Sequence, residues 1–247
     1  MAFPVVLQGP DTEHRNDYAE QRWLLGQKLI TGDGRAYRFV QVGSATLVPG
    51  NVIDGPGLIT NHEKTAGVVA GSEAGSSTLV ATLGSTASAK NQYRGGYASI
   101  VLTPGGGETY LLNSEPSVTT HEAVDSAGII TANLAQGETI VTALTATSDV
   151  TWVLNRYKGV VQSPVTTLLG EAVGVAVKAT TANRYGWVQT AGVASVLASG
   201  TVVVGNTLAR LVAAAGAAGP TAVGTEAYLG RVVSVGTTWA TVVLDLD

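Results

Sequence analysis

The sequence predicts an all-β protein: two small β-barrel or sandwich-like modules preceded by an extended N-terminal arm. Three observations carry this. After Gly32, apolar and polar residues alternate with period two, as half-buried strands require. Turn residues return about every ten positions, the spacing of short strands joined by tight loops. The 31 glycines and 8 prolines leave little room for long helices.

Taken in order, residues 1–31 form the arm, the most charge-dense stretch of the chain. Asp17 and Glu20 have the spacing of a helix capping box, and Trp23, Leu24 and Leu25 form an apolar stripe before Gly26. This pattern fits a short helix inside an extended arm; a first strand with a frayed leader fits it too. A segment this short makes no core of its own. Its Trp-Leu-Leu cluster therefore buries on a neighbouring subunit or on a shell, or else covers its own β-body.

Residues 32–158 are expected to form a β-rich domain and residues 159–247 a C-terminal barrel-like one, with the junction near Arg156–Gly159. Alternation is visible in 79–83, 97–102, 150–154 and 173–177. In the final segment Ala240, Val242, Leu244 and Leu246 share one face. Trp239, Thr241, Asp245 and Asp247 share the other, where Val243 is an apolar intruder. β-Branched Val and Thr suit these pleated positions. One pattern occurs twice. Tyr37 to Gln41 and Tyr185 to Gln189 both read Tyr-x-aromatic-Val-Gln, each followed by a Gly and a later Gly-Asn turn. This echo points either to two related modules or to chance similarity between amphipathic strands.

Composition excludes several function classes. There is no cysteine and only the initial Met, so disulfides, thiolate metal sites and cysteine nucleophiles are absent. The net charge of −4 gives no electrostatic reason to bind nucleic acid or an anionic membrane. The start, through His14, lacks a basic region followed by an apolar run, so no secretory signal is expected. Charged residues are 13% of the chain, about half the usual share, while mean hydropathy is +0.24. Such a chain is expected to hide part of its surface in an obligate interface.

No constellation for catalysis emerges. His14, His62 and His121 stand alone in separate segments, without metal-ligand spacing. Asp125-Ser126-Ala127-Gly128 only faintly resembles an aspartic protease turn, and no second copy exists. Glu63, Glu108, Glu115, Glu122 and Glu138 lie among Thr, Ser, Gly and Asn, as solvated loop acids do. The glycines at 105–107 are not followed by the helix and Lys-Ser/Thr of a phosphate cradle. The expectation is a non-enzyme without cofactor, metal or small-molecule substrate.

Several segments, in order, resemble the capsid cement (decoration) proteins of tailed bacteriophages. They are Asp33-Gly34-Arg35-Ala36-Tyr37-Arg38-Phe39, then Gly43 and 47–51, Asn61-His62, Tyr93-Arg94-Gly95-Gly96, 156–160, and Tyr185-Gly186-Trp187 with Gly192. The likeness spans roughly Gly32 to the C-terminus. It implies a structural virion protein, made in the bacterial host cytoplasm, that sits as a homotrimer on the outside of the mature capsid and stabilises the major capsid protein lattice. Arg35, Tyr37, Tyr93, Tyr185 and Trp187 join Trp23, Leu24 and Leu25 as candidate interface residues. A tail-fibre or tailspike-type receptor-binding protein is the alternative, against which stand the lack of fibrous repeats and the sparse aromatics.

Overall fold

The computed structural model describes residues 6–67, 70–165, 170–211, 213–220 and 228–247. The fold is all-β, with one 3₁₀ turn among the described residues, at Glu13–Arg15. In chain order the first strands are β1 (Val6–Gln8), β2 (Lys28–Ile30), β3 (Ala36–Val42) and β4 (Val52–Asp54). Then come β5 (Thr65–Ala66), β6 (Thr78–Thr82), β7 (Tyr97–Ile100), β8 (Thr109–Leu111), β9 (Ile129–Asn133) and β10 (Asp149–Val153). The chain continues through β11 (Lys158–Gln162), β12 (Ala172–Ala176), β13 (Tyr185–Leu197) and β14 (Thr207–Arg210). It ends with β15 (Ala218–Pro220), β16 (Tyr228–Val235) and β17 (Trp239–Asp245).

Two compact units result. The first is Met1–Pro56 with Arg156–Asp247; the second is Gly57–Asn155. The centre of the first unit is a closed barrel of β3, β11, β4, β12 and β13, in which β13 pairs back onto β3. Closure leaves no free edge in these five strands. Val40, Val42, Ile53, Val160, Val173 and Val188 fill the interior, so one face of each contributing strand is spent inside.

β3 and β13 are apolar on both faces, which is why their sequences look aromatic and aliphatic at once. On β3 Val40 and Val42 enter the barrel, while Tyr37 and Phe39 form an outer cluster with Trp187 and Leu29. β13 is long enough to serve two sheets. Its first half belongs to the barrel, and Ala191–Leu197 pairs with β17 to begin a second sheet, β13-β17-β16-β14-β15. Val196, Leu208, Leu229, Val242 and Leu244 form that sheet's core.

The second unit is a small sandwich. A four-stranded sheet, β5-β10-β7-β8, and a two-stranded ribbon, β6-β9, share one core built on Leu79, Ile100, Ile130, Val150 and Trp152.

Three expectations need correction. The division at 158/159 gives way to an insertion. Residues before Pro56 fold with those after Arg156, because β4 pairs antiparallel with β11 across the inserted unit. The Tyr-x-aromatic-Val-Gln echo does not mark two modules, since its two copies are paired neighbours in one barrel wall. The arm contains no helix at 17–25. Instead β1 and β2 add to the edge beyond β3, and Trp23 and Leu25 pack on the outer aromatic cluster of their own unit.

Candidate functional site

A cleft of about 380 Å³ opens on the first unit. The 3₁₀ turn carries His14 and Arg15 to it, and the turn between β2 and β3 supplies Arg35. Val175–Val177, Gln189 and Val193–Ser195 form its floor and sides. Trp239, at the start of β17, stands against the Pro49-Gly50 turn. Gly50 has φ +81°, and any Cβ there would run into the Trp239 ring. Only glycine permits this approach.

Two arginines line the cleft, and one of them is paired with an acid. Arg35 pairs with Asp33 at 2.6 Å, and hydrogen bonds from Thr31 and the Arg35 backbone, with the Arg35 charge, bring the Asp33 carboxyl down to about 2. Arg15 is exposed and has no acidic partner among the described residues. His14 is buried and stacked on Tyr37 at 4.6 Å, with its Nδ1 unpartnered. Burial, then the charges of Arg35 and Arg15, hold its pKa below the usual histidine value.

Beside the cleft the outer face of the β13–β17–β16 ladder mixes exposed apolar side chains with Ser195, Thr241 and Arg231, the last directly opposite Val243. Val193 and Val243 stand directly opposite each other and are 55% and 42% exposed. Trp239 at 41% and Val233 at 50% extend the patch, and both Val193 and Trp239 also line the cleft. Apolar patches of this kind rimmed by charge mark interaction sites.

A second cluster of titratable side chains lies inside the inserted unit. The Tyr93 hydroxyl donates to His62 Nδ1, whose Nε2 donates to the Thr86 carbonyl at 2.7 Å. The Tyr93 backbone N–H donates to His121 Nε2 at 3.0 Å, and His121 Nδ1 donates to the Glu122 carbonyl at 2.7 Å. These bonds fix each imidazole as a neutral tautomer. Burial pushes the Tyr93 hydroxyl up. All three rings are at most 2% exposed, so the cluster braces a core and presents nothing to solvent.

Among the candidate interface residues, Arg35 alone lines the cleft. Tyr37, Tyr93 and Trp187 are at most 3% exposed, which corrects their assignment as interface residues. Tyr185 is half-buried and stacked on Phe39 at 6.0 Å. Trp23 and Leu25 are half-buried on the aromatic cluster, and Leu24 is half-buried with its carbonyl accepting the Gln27 N–H. Sequence reasoning missed His14, Arg15, Val193 and Trp239. The available signal was Trp239 and Val243 on the otherwise polar face of the last strand. Glu108, one of the carboxylate candidates, accepts bonds from Tyr110 and Thr142. Burial opposes its ionisation, yet those bonds hold its carboxyl below the usual range. Glu122 pairs with Lys90 at 3.0 Å. No family model, curated protein or solved structure matches this chain significantly.

Proposed function

We propose that this chain is a structural virion protein, a cement protein that binds the outside of the mature capsid of a tailed bacteriophage and stabilises the major capsid protein lattice as a trimer. One observation carries the reading: the exposed Val193–Val243 pair, with Arg231 opposite Val243 on β16, and exposed Trp239 stand beside a cleft that Arg15 and Arg35 flank. A β-face of this kind, with exposed apolar groups beside charge, is built to be covered by protein. The motifs behind the resemblance also belong together physically, since Ala36-to-Phe39 and Tyr185-to-Trp187 lie on paired strands of one barrel. The resemblance, rather than the surface, selects three copies.

The test is cosedimentation of the purified chain with mature heads that lack it. Saturable pelleting at a fixed ratio to the major capsid protein, with heads that then resist heat longer, is the expected result. Heads that pellet without the chain, and whose heat resistance is unchanged, would overturn the proposal.

A further inference from the structure

Charge is distributed unevenly along the chain. The first unit holds 11 Lys and Arg against 10 Asp and Glu, a net of +1; the inserted unit holds 3 against 8, a net of −5. The whole net charge of −4 therefore comes from the insertion. The first unit's cleft shows the matching polarity, with Arg15 unpaired by any described acid and an apolar wall of Val193 and Trp239.

The inserted unit carries a rim of complementary chemistry. Gly84 accepts from the Ala127 N–H at 2.7 Å and donates to the Asn61 carbonyl at 3.0 Å, which ties the loops bearing Glu63 and Asp125 together. Both acids are exposed and have no ion-pair partner among the described residues. Ile129, four positions after Asp125, is 57% exposed where β9 begins. The rim thus offers two carboxylates, with exposed Lys64 next to Glu63, and an exposed aliphatic residue on the same loop-to-strand segment as Asp125, as the cleft offers guanidinium together with exposed Val and Trp.

We propose that copies of this chain associate heterologously, the cleft of one copy receiving the Glu63–Asp125–Ile129 rim of the next. The charges give register and orientation, and the apolar groups give the buried centre. Such a contact uses two different patches, so it makes rings where the rotation closes. The inference rests on the proposed trimer and names the surfaces that would build it.

The experiment is light scattering on the full chain with Arg15→Glu, Asp125→Arg and the two combined, each checked for an unchanged melting profile. Each single reversal is expected to weaken self-association by about tenfold or more, because it sets like charges together. The combined variant is expected to recover most of the loss. Wild-type self-association should also weaken with rising salt. A wild-type chain that stays monomeric at micromolar concentration overturns the inference. So do single variants that assemble as the wild type does, or a combined variant that recovers nothing. Shell binding is read separately by cosedimentation. A chain that pellets with heads but never self-associates overturns this inference alone; one that self-associates through these residues but never pellets overturns the shell-binding reading alone.

Discussion

Trp187 stands directly opposite Phe39 across the β3–β13 pairing, with ring centroids 5.1 Å apart and planes at 62°. Around this pair gather Trp23, at 5.3 Å from each ring, and Tyr185, stacked on Phe39. The Trp187 indole also reaches Glu13 at 3.3 Å, which ties the 3₁₀ turn to the barrel wall. The outer surface of the barrel is therefore a second core. Its position determines where His14 and Arg15 project, and so the cationic lip of the cleft.

Truncating Trp187 to Ala should destabilise the first unit by about 3–5 kcal/mol, since the void opens between strands that are both fixed by the barrel. Phe39→Ala should act on the same cluster. The two changes together should show a coupling of roughly 0.5–1.5 kcal/mol, the value of an aromatic pair beyond its area. Chemical denaturation of the single and double variants measures it; strict additivity would contradict the packing described.

Asp54 on β4 is fully buried and ion-paired with Arg210 on β14 at 2.7 Å, and Arg210 donates its hydrogen bond to the Gly170 carbonyl at 2.6 Å. Burial raises the Asp54 carboxyl above its usual range, with Arg210 opposing it. Arg210→Met removes the opposition and should cost about 3–5 kcal/mol at neutral pH by stranding a buried charge. The sign follows from the raised pKa. The stability held with a protonated Asp54 is lost as pH rises through the folded value, so the variant should recover stability on acidification. Denaturation midpoints across the acid range, compared with wild type, check this.

Asp17 answers oppositely to pH. A hydrogen bond from Lys178, aided by Arg184 at 2.8 Å, lowers its carboxyl pKa despite some desolvation. Its contribution is present above the usual carboxylate range and lost as pH falls through the depressed value. The cations are 40% exposed, so screening keeps the effect small. Asp17→Asn should cost about 0.3–1 kcal/mol at neutral pH and nothing in strong acid. A melting series over pH and salt reads both limits.

The strand content was legible because period two survives wherever one face is wet. The final segment is the clearest case: Ala240, Val242 and Leu244 are buried while Trp239, Val243 and Asp245 are exposed. The insertion was not legible. β4 and β11 are short, and nothing local in Val52–Asp54 says that its partner is more than a hundred residues away. The echo misled for a physical reason. Strands facing each other in one wall meet the same demand, aliphatic inward and aromatic outward, so Tyr37–Gln41 and Tyr185–Gln189 converge on one pattern.

The histidines were illegible in another way. His62 and His121 flank Tyr93 only because three separate loops converge on it, a relation that no spacing along the chain encodes. Tyr93→Phe should cost about 1–3 kcal/mol, since it leaves His62 Nδ1 buried without its donor. The loss should appear in the inserted unit's transition, followed by hydrogen exchange of β7 and β10, with the barrel's protection unchanged. Equal loss of protection in both units would contradict the assignment.

The arm gives the last prediction. Of the two burials open to it, on a neighbouring surface or on its own β-body, Trp23 takes the second, lying on Phe39 and Trp187 of its own barrel, edge-on to Phe39 at 81°. Arg38 donates to the Gly26 carbonyl at 2.9 Å, and the Gly26 N–H donates to Phe39, pinning the segment where Trp23 ends. Gly26 holds φ +86° with the Tyr157 ring against the place a Cβ would take. Trp23 and Leu24 are neighbours in sequence but differ in role, since only Trp23 and Leu25 belong to the cluster. Trp23→Ala should therefore cost about 2–4 kcal/mol and Leu24→Ala less than 1 kcal/mol. Removing residues 1–25 should uncover Tyr37, Phe39 and Trp187 together, and the shortened chain should bind a hydrophobic dye and melt early. If Leu24→Ala instead proved as costly as Trp23→Ala, or if the shortened chain kept the wild-type melting temperature, the cover role of this segment would be wrong.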